Sequence, residues 1–188
     1  MTAEILEIPE VRRRVSPLSV EEYHRLAEFN ENGRRTELIR GIIIEKMSKS
    51  PLHRIVTSRL YRRLLALLPE GFCVWKEEPL TFVDSEPEPD ISVTRGQEDD
   101  YARAHPTSAE LVVEVAVSSP DLDRVNASLY AESGIKEYWI VLPLQRQVEV
   151  YRQASEGRYK ETFVCGANDT IECSGLPGLR IRVSELFV

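Results

Sequence analysis

The run Leu111-Val-Val-Glu-Val-Ala-Val117 constrains the fold of this chain more than any other stretch. It is apolar on both alternating faces except at Glu114, which is the pattern of a central strand covered from both sides. Such a strand needs packed layers above and below it, so helices must flank the sheet to which it belongs. The neighbouring segments supply them. Ser50-Pro51 opens a segment that carries Leu52, Val56, Leu60, Leu64 and Leu67 on one stripe and closes at Pro69 and Gly71. Proline at the first helical position and a single apolar stripe both favour a helix there. Asp121 and Asp123 introduce another, on which Leu122, Val125, Leu129 and Tyr130 recur at helical spacing as far as Gly134.

The remaining segments extend this layered pattern. Ser16-Pro17-Leu18-Ser19, followed by Glu21 and Glu22, marks a helix start, and Asn32-Gly33 offers its stop. Glu37 to Met47 reads as a hairpin turning at Gly41. Phe72 to Val83 and Asp90 to Val93 are rich in strand formers and interrupted by prolines, so they predict short strands. Glu137 to Leu142, Val148 to Tyr151, Tyr159 to Val164 and Ile181 to Val183 predict a second-half β meander, with Gln145 to Gln147 and Glu156-Gly157 as turns. The order predicts a mixed α/β (α+β) architecture around one sheet, with a short arm over residues 1–16 and one domain over 17–188.

Composition narrows the class further. The chain has 188 residues, a formal charge of −7, 42% hydrophobic and 29% charged content, which excludes disordered, collagen-like and coiled-coil classes. No apolar stretch approaches the roughly 20 residues that span a bilayer, and the first residues lack an apolar signal core, so a cytoplasmic protein without membrane contact is expected. Cys73, Cys165 and Cys173 form an odd set with no C-x-x-C, so free thiols are expected rather than a disulfide framework or a thiolate zinc site.

Most charged side chains can sit on solvated faces, so the informative ones are those that the apolar pattern forces inward. Glu114 is the clearest. A buried ion pair that loses one partner costs roughly 3–5 kcal/mol, so a carboxylate in the middle of an apolar strand must be paired, protonated or bound to a cation. Asp90 is the second candidate, held by Glu86-Pro-Glu-Pro89 at the mouth of the Ile91-Ser-Val93 strand, where it can face an acid on a neighbouring strand. Two such acids make a pocket of hard oxygen ligands suited to Mg²⁺ or Mn²⁺. An ion of that kind activates water and neutralises charge on a phosphate. The competing structural reading is that Asp90 caps a turn and Glu114 pairs with an arginine.

Several stretches together carry a resemblance. Thr36-Glu-Leu-Ile-Arg-Gly41, Ser50-Pro-Leu-His53, Pro89-Asp90, Val113-Glu-Val115 and Tyr130-Ala-Glu-Ser-Gly-Ile-Lys-Glu-Tyr-Trp-Ile-Val141 occur in this order, from about Pro17 to the C-terminus. The chain so resembles the Uma-type restriction endonuclease family of the PD-(D/E)XK nuclease superfamily. That resemblance implies a restriction-endonuclease-like fold, a central mixed β-sheet flanked by helices. It also implies Mg²⁺-dependent hydrolysis of phosphodiester bonds, with DNA as partner and a homodimer for cleavage of both strands. Carried over, Asp90 is the Asp of the PD motif and Glu114 the acid of the second motif, both as metal ligands, and Glu37 matches an upstream acid.

The chain departs from the pattern at one position. Two residues after Glu114, where the motif places its Lys, stands Ala116. In the family that Lys is displaced onto the following helix, and the matching stretch here is Asp123-Arg-Val-Asn126, so Asn126 replaces it. Asparagine can hydrogen-bond water but carries no charge, and Arg124 is the substitute nearest in sequence. The alternative to an enzyme is therefore a catalytically impaired nuclease fold that binds nucleic acid or a protein.

Other features read more plainly. His53 fills a first-turn position or touches the site, with the first favoured. Arg54 and Arg62 share the polar face of their helix with Ser58 and can meet a nucleic-acid backbone or water. Tyr138 and Trp139 belong to the core. Gly175-Leu-Pro-Gly178 lacks the surroundings of a phosphate loop and reads as a turn, and Ser118-Ser119-Pro120 as a helix-entry cap. His24 and His105 have no partner at ligand spacing.

Overall fold

A computed structural model describes residues 8–27, 35–118 and 120–187. The chain divides into two units, Met1–Lys46 with Val83–Pro87, and Met47–Phe82 with Glu88–Val188. The expected helix stop at Asn32-Gly33 and the cap residue Ser119 lie outside the described residues.

In the smaller unit, α1 (Pro9–Arg12) and α2 (Val20–Ala27) precede a hairpin of β1 (Thr36–Ile39) and β2 (Ile42–Glu45). Helix α2 starts where the sequence predicts, through a reciprocal pair. The Glu22 amide donates to Ser19 Oγ at 3.2 Å, and the Ser19 amide donates to Glu22 Oε2 at 2.8 Å. Two otherwise unpaired donors at the helix start are satisfied in this way. The hairpin turns on Arg40 and Gly41, with φ of 50° and 74°, the geometry of a type I′ turn, which matches the twist of the flanking strands. A Cβ at Gly41 would lie 2.4 Å from the Cβ of Pro17. The returning segment Val83–Pro87 completes the unit. The Leu38 and Glu86 backbones exchange hydrogen bonds of 3.3 and 2.7 Å, and the Glu86 carboxylate meets His24 Nε2 at 2.7 Å.

The larger unit is built on one six-stranded sheet in the order β3-β4-β5-β6-β7-β8. Helix α3 (Pro51–Leu67) leads into β3 (Phe72–Lys76), followed by β4 (Ile91–Arg95), a 3₁₀ turn (Glu98–Tyr101) and β5 (Leu111–Val115). Helix α4 (Pro120–Glu132) then crosses over to β6 (Glu137–Leu142), and β7 (Gln147–Ser155) and β8 (Arg158–Gly166) follow as a meander. The short pair β9 (Thr170–Glu172) and β10 (Arg180–Arg182) and a 3₁₀ turn (Val183–Leu186) end the described chain. The β5–β6 pair is parallel and every other pair in the sheet is antiparallel, because a helical crossover returns the chain in the same direction and tight turns reverse it.

The prediction for β5 holds. Leu111, Val113 and Val115 join the cluster that contains Val56, Leu60 and Leu64 of α3 and Ile171, Ile181 and Leu186 of the C-terminal segment. Val112 joins the opposite cluster with Ala127 and Tyr130 of α4. Tyr138 and Trp139 are fully buried, as expected of core residues. The sequence predicts a break at Glu77-Glu78-Pro79, and β3 ends there at Lys76, but residues 80–83 beyond the break form no strand. Glu77 takes a left-handed φ of 60° and Pro79 follows it, so the ladder cannot continue. Strand β9 was not anticipated. Among the described residues no helix is long and apolar enough to cross a membrane.

Helix α4 is fastened to the sheet by aromatic rings and an ion pair. Tyr130, Tyr138, Tyr151 and Tyr159 succeed one another at centroid separations of 4.7, 5.6 and 6.0 Å. The Tyr138 hydroxyl donates to the carbonyl of Asp123, and that of Tyr159 to the carbonyl of Ile135, each at 3.0 Å. Arg124 Nε donates to both Glu149 oxygens at 3.2 Å, and the Tyr151 hydroxyl donates to Glu149 at 2.8 Å. The Arg124 hydrogen bond holds the Glu149 carboxyl below its ordinary value of 4.5 against the upward pull of burial.

Two expectations follow. Gly41→Ala, strained by its positive φ and crowded by Pro17, should destabilise the protein by about 1–3 kcal/mol in chemical denaturation. A carboxyl lowered on folding adds stability that is complete above its unfolded value, 4.5, and is lost as pH falls through the folded one. Glu149→Gln should accordingly flatten the acid limb of a melting-temperature profile below about pH 4.5, leaving its neutral-to-alkaline shape unchanged.

Candidate active site

The register of the sheet brings the two predicted acids together. Strands β4 and β5 pair with Ile91 opposite Val113, and the next step in the same antiparallel register sets Asp90 opposite Glu114, so both side chains start on one face. The Asp90 amide donates to Glu114 Oε2 at 3.1 Å, and the Val115 amide donates to Asp90 Oδ2 at 2.8 Å. Each acid thus satisfies a main-chain donor at the seam where β4 begins. Glu114 Oε1 also accepts from the Tyr130 hydroxyl at 3.0 Å, which ties the acid to α4.

A second ring of contacts comes from the start of α3. Ser50 caps that helix by accepting from the His53 amide at 3.2 Å, with Pro51 in the first turn. This fixes the backbone from which Lys49 and His53 project. His53 Nε2 lies 2.9 Å from Asp90 Oδ2, and Lys49 Nζ lies 3.1 Å from Asp90 Oδ1. The contact revises the favoured reading of His53 as a mere first-turn residue. Lys49 also reaches Glu77 Oε1 at 3.0 Å. Glu77 follows β3, and its amide donates to the Asp90 carbonyl at 3.2 Å. Asp90 is only 6% exposed. Burial alone would push its carboxyl upward, but the His53 hydrogen bond and charge, the Lys49 charge and the Val115 amide hold it below the ordinary carboxylate value.

The other predicted residues are placed as follows. Asn126 is buried on α4, one turn before Tyr130, the residue that holds Glu114. Ala116 is buried in the same apolar cluster as Tyr130. Arg124 is not a substitute for the missing lysine, because its guanidinium is engaged by Glu149 and Asp121. Glu37 lies on β1 of the smaller unit, where Lys46 Nζ stands 3.4 Å from its Oε2. Arg54 and Arg62 are exposed on α3.

Sequence reasoning missed Lys49, Glu77 and Tyr130 as neighbours of the acids. Only the strand register and the helix cap bring Lys49 and Glu77 to Asp90. It also missed two other buried acids whose partners show them to be structural. Glu137 is fully buried with Arg152 at 3.0 Å, Trp139 Nε1 at 2.6 Å and the Ser174 amide at 2.9 Å. Glu110 is held by Arg95 at 2.6 Å and Lys136 at 2.8 Å.

Asp90 and Glu114 offer carboxylate oxygens side by side, a donor set that fits a small, hard divalent ion. Among the described residues no three His, Cys, Asp or Glu side chains converge to hold a metal. An ion held by this pair alone would take its remaining ligands from water.

Comparison with known proteins gives this geometry a context. A solved structure described as a putative nuclease belonging to DUF820 from Anabaena variabilis ATCC 29413 shares the fold with a TM-score of 0.76. The two are 22% identical, over 90% of this chain and 97% of that one. Among curated proteins nothing matches. The model of the family described as "Uma2: Putative restriction endonuclease" matches residues 20–184, a span that contains Glu37, Asp90, Glu114 and Asn126. The resemblance read from the sequence motifs is thus borne out, and the chain belongs to the Uma2 family of putative restriction endonucleases.

Proposed function

We propose that this protein is a metal-dependent endonuclease that hydrolyses phosphodiester bonds of DNA at the site formed by Asp90 and Glu114. The observation that carries the reading is the register that sets these two acids opposite each other on adjacent strands, interlocked through the Asp90 amide. Restriction-endonuclease-like proteins generally use divalent metals, and here Asp90 and Glu114 would hold Mg²⁺ or Mn²⁺. When bound, such an ion lowers the pKa of water and offsets charge on the phosphate.

The chain's own groups set the stage for that chemistry. The Val115 amide and His53 hold the Asp90 carboxyl below its ordinary value and orient it, and the Tyr130 hydroxyl orients Glu114 Oε1. In the reaction a water oxygen bonds to phosphorus as one P–O ester bond breaks. The leaving oxygen takes up a proton, and a phosphate monoester and an alcohol result. In this reading Asn126, buried one turn from Tyr130, orients water through its amide. Cleavage of both strands is expected of a homodimer.

A second reading rests on a separate observation. Ala116 and Asn126, the two positions where the family pattern expects its lysine, are both uncharged and buried, which suits a nuclease fold kept for binding nucleic acid or a protein.

Supercoiled plasmid incubated with Mg²⁺ or Mn²⁺ should be nicked, and EDTA should stop the reaction. Asp90→Ala should reduce the rate by about 100-fold or more and remove the rise in melting temperature that the metal alone produces. Silence of the parent together with nicking by Asn126→Lys would mean an intact metal site disabled at that one position, and silence of both would favour the second reading.

A further inference from the structure

Hydrolysis of a phosphodiester builds negative charge on the phosphate oxygens, and a fixed cation beside them is among the strongest aids a protein can offer. The three acids Glu77, Asp90 and Glu114 make the need acute, since they repel the same oxygens. Ala116 has no charge to give, and Asn126 has none either. The guanidinium of Arg124 is taken up by Glu149 and Asp121.

Lys49 meets the requirement from a place that no motif marks. Its ammonium lies 3.1 Å from Asp90 and 3.0 Å from Glu77, and its side chain is 22% exposed, so it is anchored yet open to a ligand. A lysine ammonium has three donors. Two carboxylates take one each, which leaves a third for a phosphate oxygen. The anchors are firm. The Ser50 cap fixes the main chain on one side of Lys49, and the Glu77 amide, donating to the Asp90 carbonyl at 3.2 Å, fixes the main chain that carries the other anchor.

We propose that Lys49 is the catalytic cation of this site. Held between Glu77 and Asp90, it contacts a non-bridging oxygen of the scissile phosphate and stabilises the charge that develops there, the task that Ala116 and Asn126 cannot perform. The proposal rests on the nuclease reading and assigns to it a residue outside the family pattern.

The test compares the parent with Lys49→Met and with Lys49→Gln, the latter as a polar variant should methionine unsettle the fold. Two quantities are read for each: the initial rate of Mg²⁺-dependent plasmid nicking, and the metal-induced rise in melting temperature without DNA. Both variants should retain the rise, or enlarge it because the competing ammonium is gone, while nicking falls by about 100-fold. Nicking at the parental rate would overturn the role of Lys49 and leave the nuclease reading standing. Loss of the metal-induced rise would overturn it too, because Lys49 would then serve only to hold the acids in place. A parent that does not nick at all would overturn both readings together.

Discussion

Two hydrogen bonds at the seam between β4 and β5 govern the site and much of the sheet around it. The Asp90 amide donates to Glu114, and the Val115 amide donates to Asp90. Each carboxylate thus satisfies a backbone donor that the strand ladder leaves over where β4 begins, and each is oriented by the main chain of the other's strand. Desolvation is the main cost of placing acids in this position. It is offset here by main-chain amides together with His53, Lys49 and Tyr130, which hold both acids in place within an apolar framework. An interaction of this kind serves the fold and the chemistry at once.

Much of this was legible in the sequence. The alternation around Glu114 required a strand covered on both faces, and both apolar clusters are there. The prolines before Asp90 required a strand start, which is where Asp90 stands. What could not be read was the cast of partners. Lys49 precedes its helix by two residues and Glu77 follows a different strand, and nothing in their local spacing points to Asp90. Glu137 and Glu110 show the converse difficulty. Neither interrupts an apolar run as Glu114 does, yet both are buried, because Arg152, Arg95 and Lys136 reach them from elsewhere in the chain.

The smaller unit and α4 show where local chemistry is enough. Ser19 and Glu22 announce the start of α2, and Gly41 announces the hairpin, because caps and tight turns are decided by a few adjacent residues. The seating of α4 is decided by the tyrosines, whose hydroxyls reach main-chain carbonyls of the helix and the loop after it. Phenol rings on β6, β7 and β8 form the floor beneath it, and their spacing is set by the sheet. The fate of Arg124 follows from this seating. Sequence proximity to Asn126 suggested a replacement cation, but the helix is docked with that side chain over β7, where Glu149 waits.

Strand β3 pairs Lys76 with Ile91, and β4 pairs Ile91 with Val113. One further step along the β4–β5 ladder puts Asp90 and Glu114 in a single row across the two strands, while the turn at Glu77 after β3 brings its amide to the Asp90 carbonyl. Because side chains alternate with a period of two, sliding one strand by a single residue would carry its acid to the opposite face of the sheet. The row is therefore an all-or-none property of alignment. An insertion or deletion of one residue inside β4 or β5 could leave a well-packed sheet and still scatter the charges, so the integrity of this site is recorded in the parity of its strands.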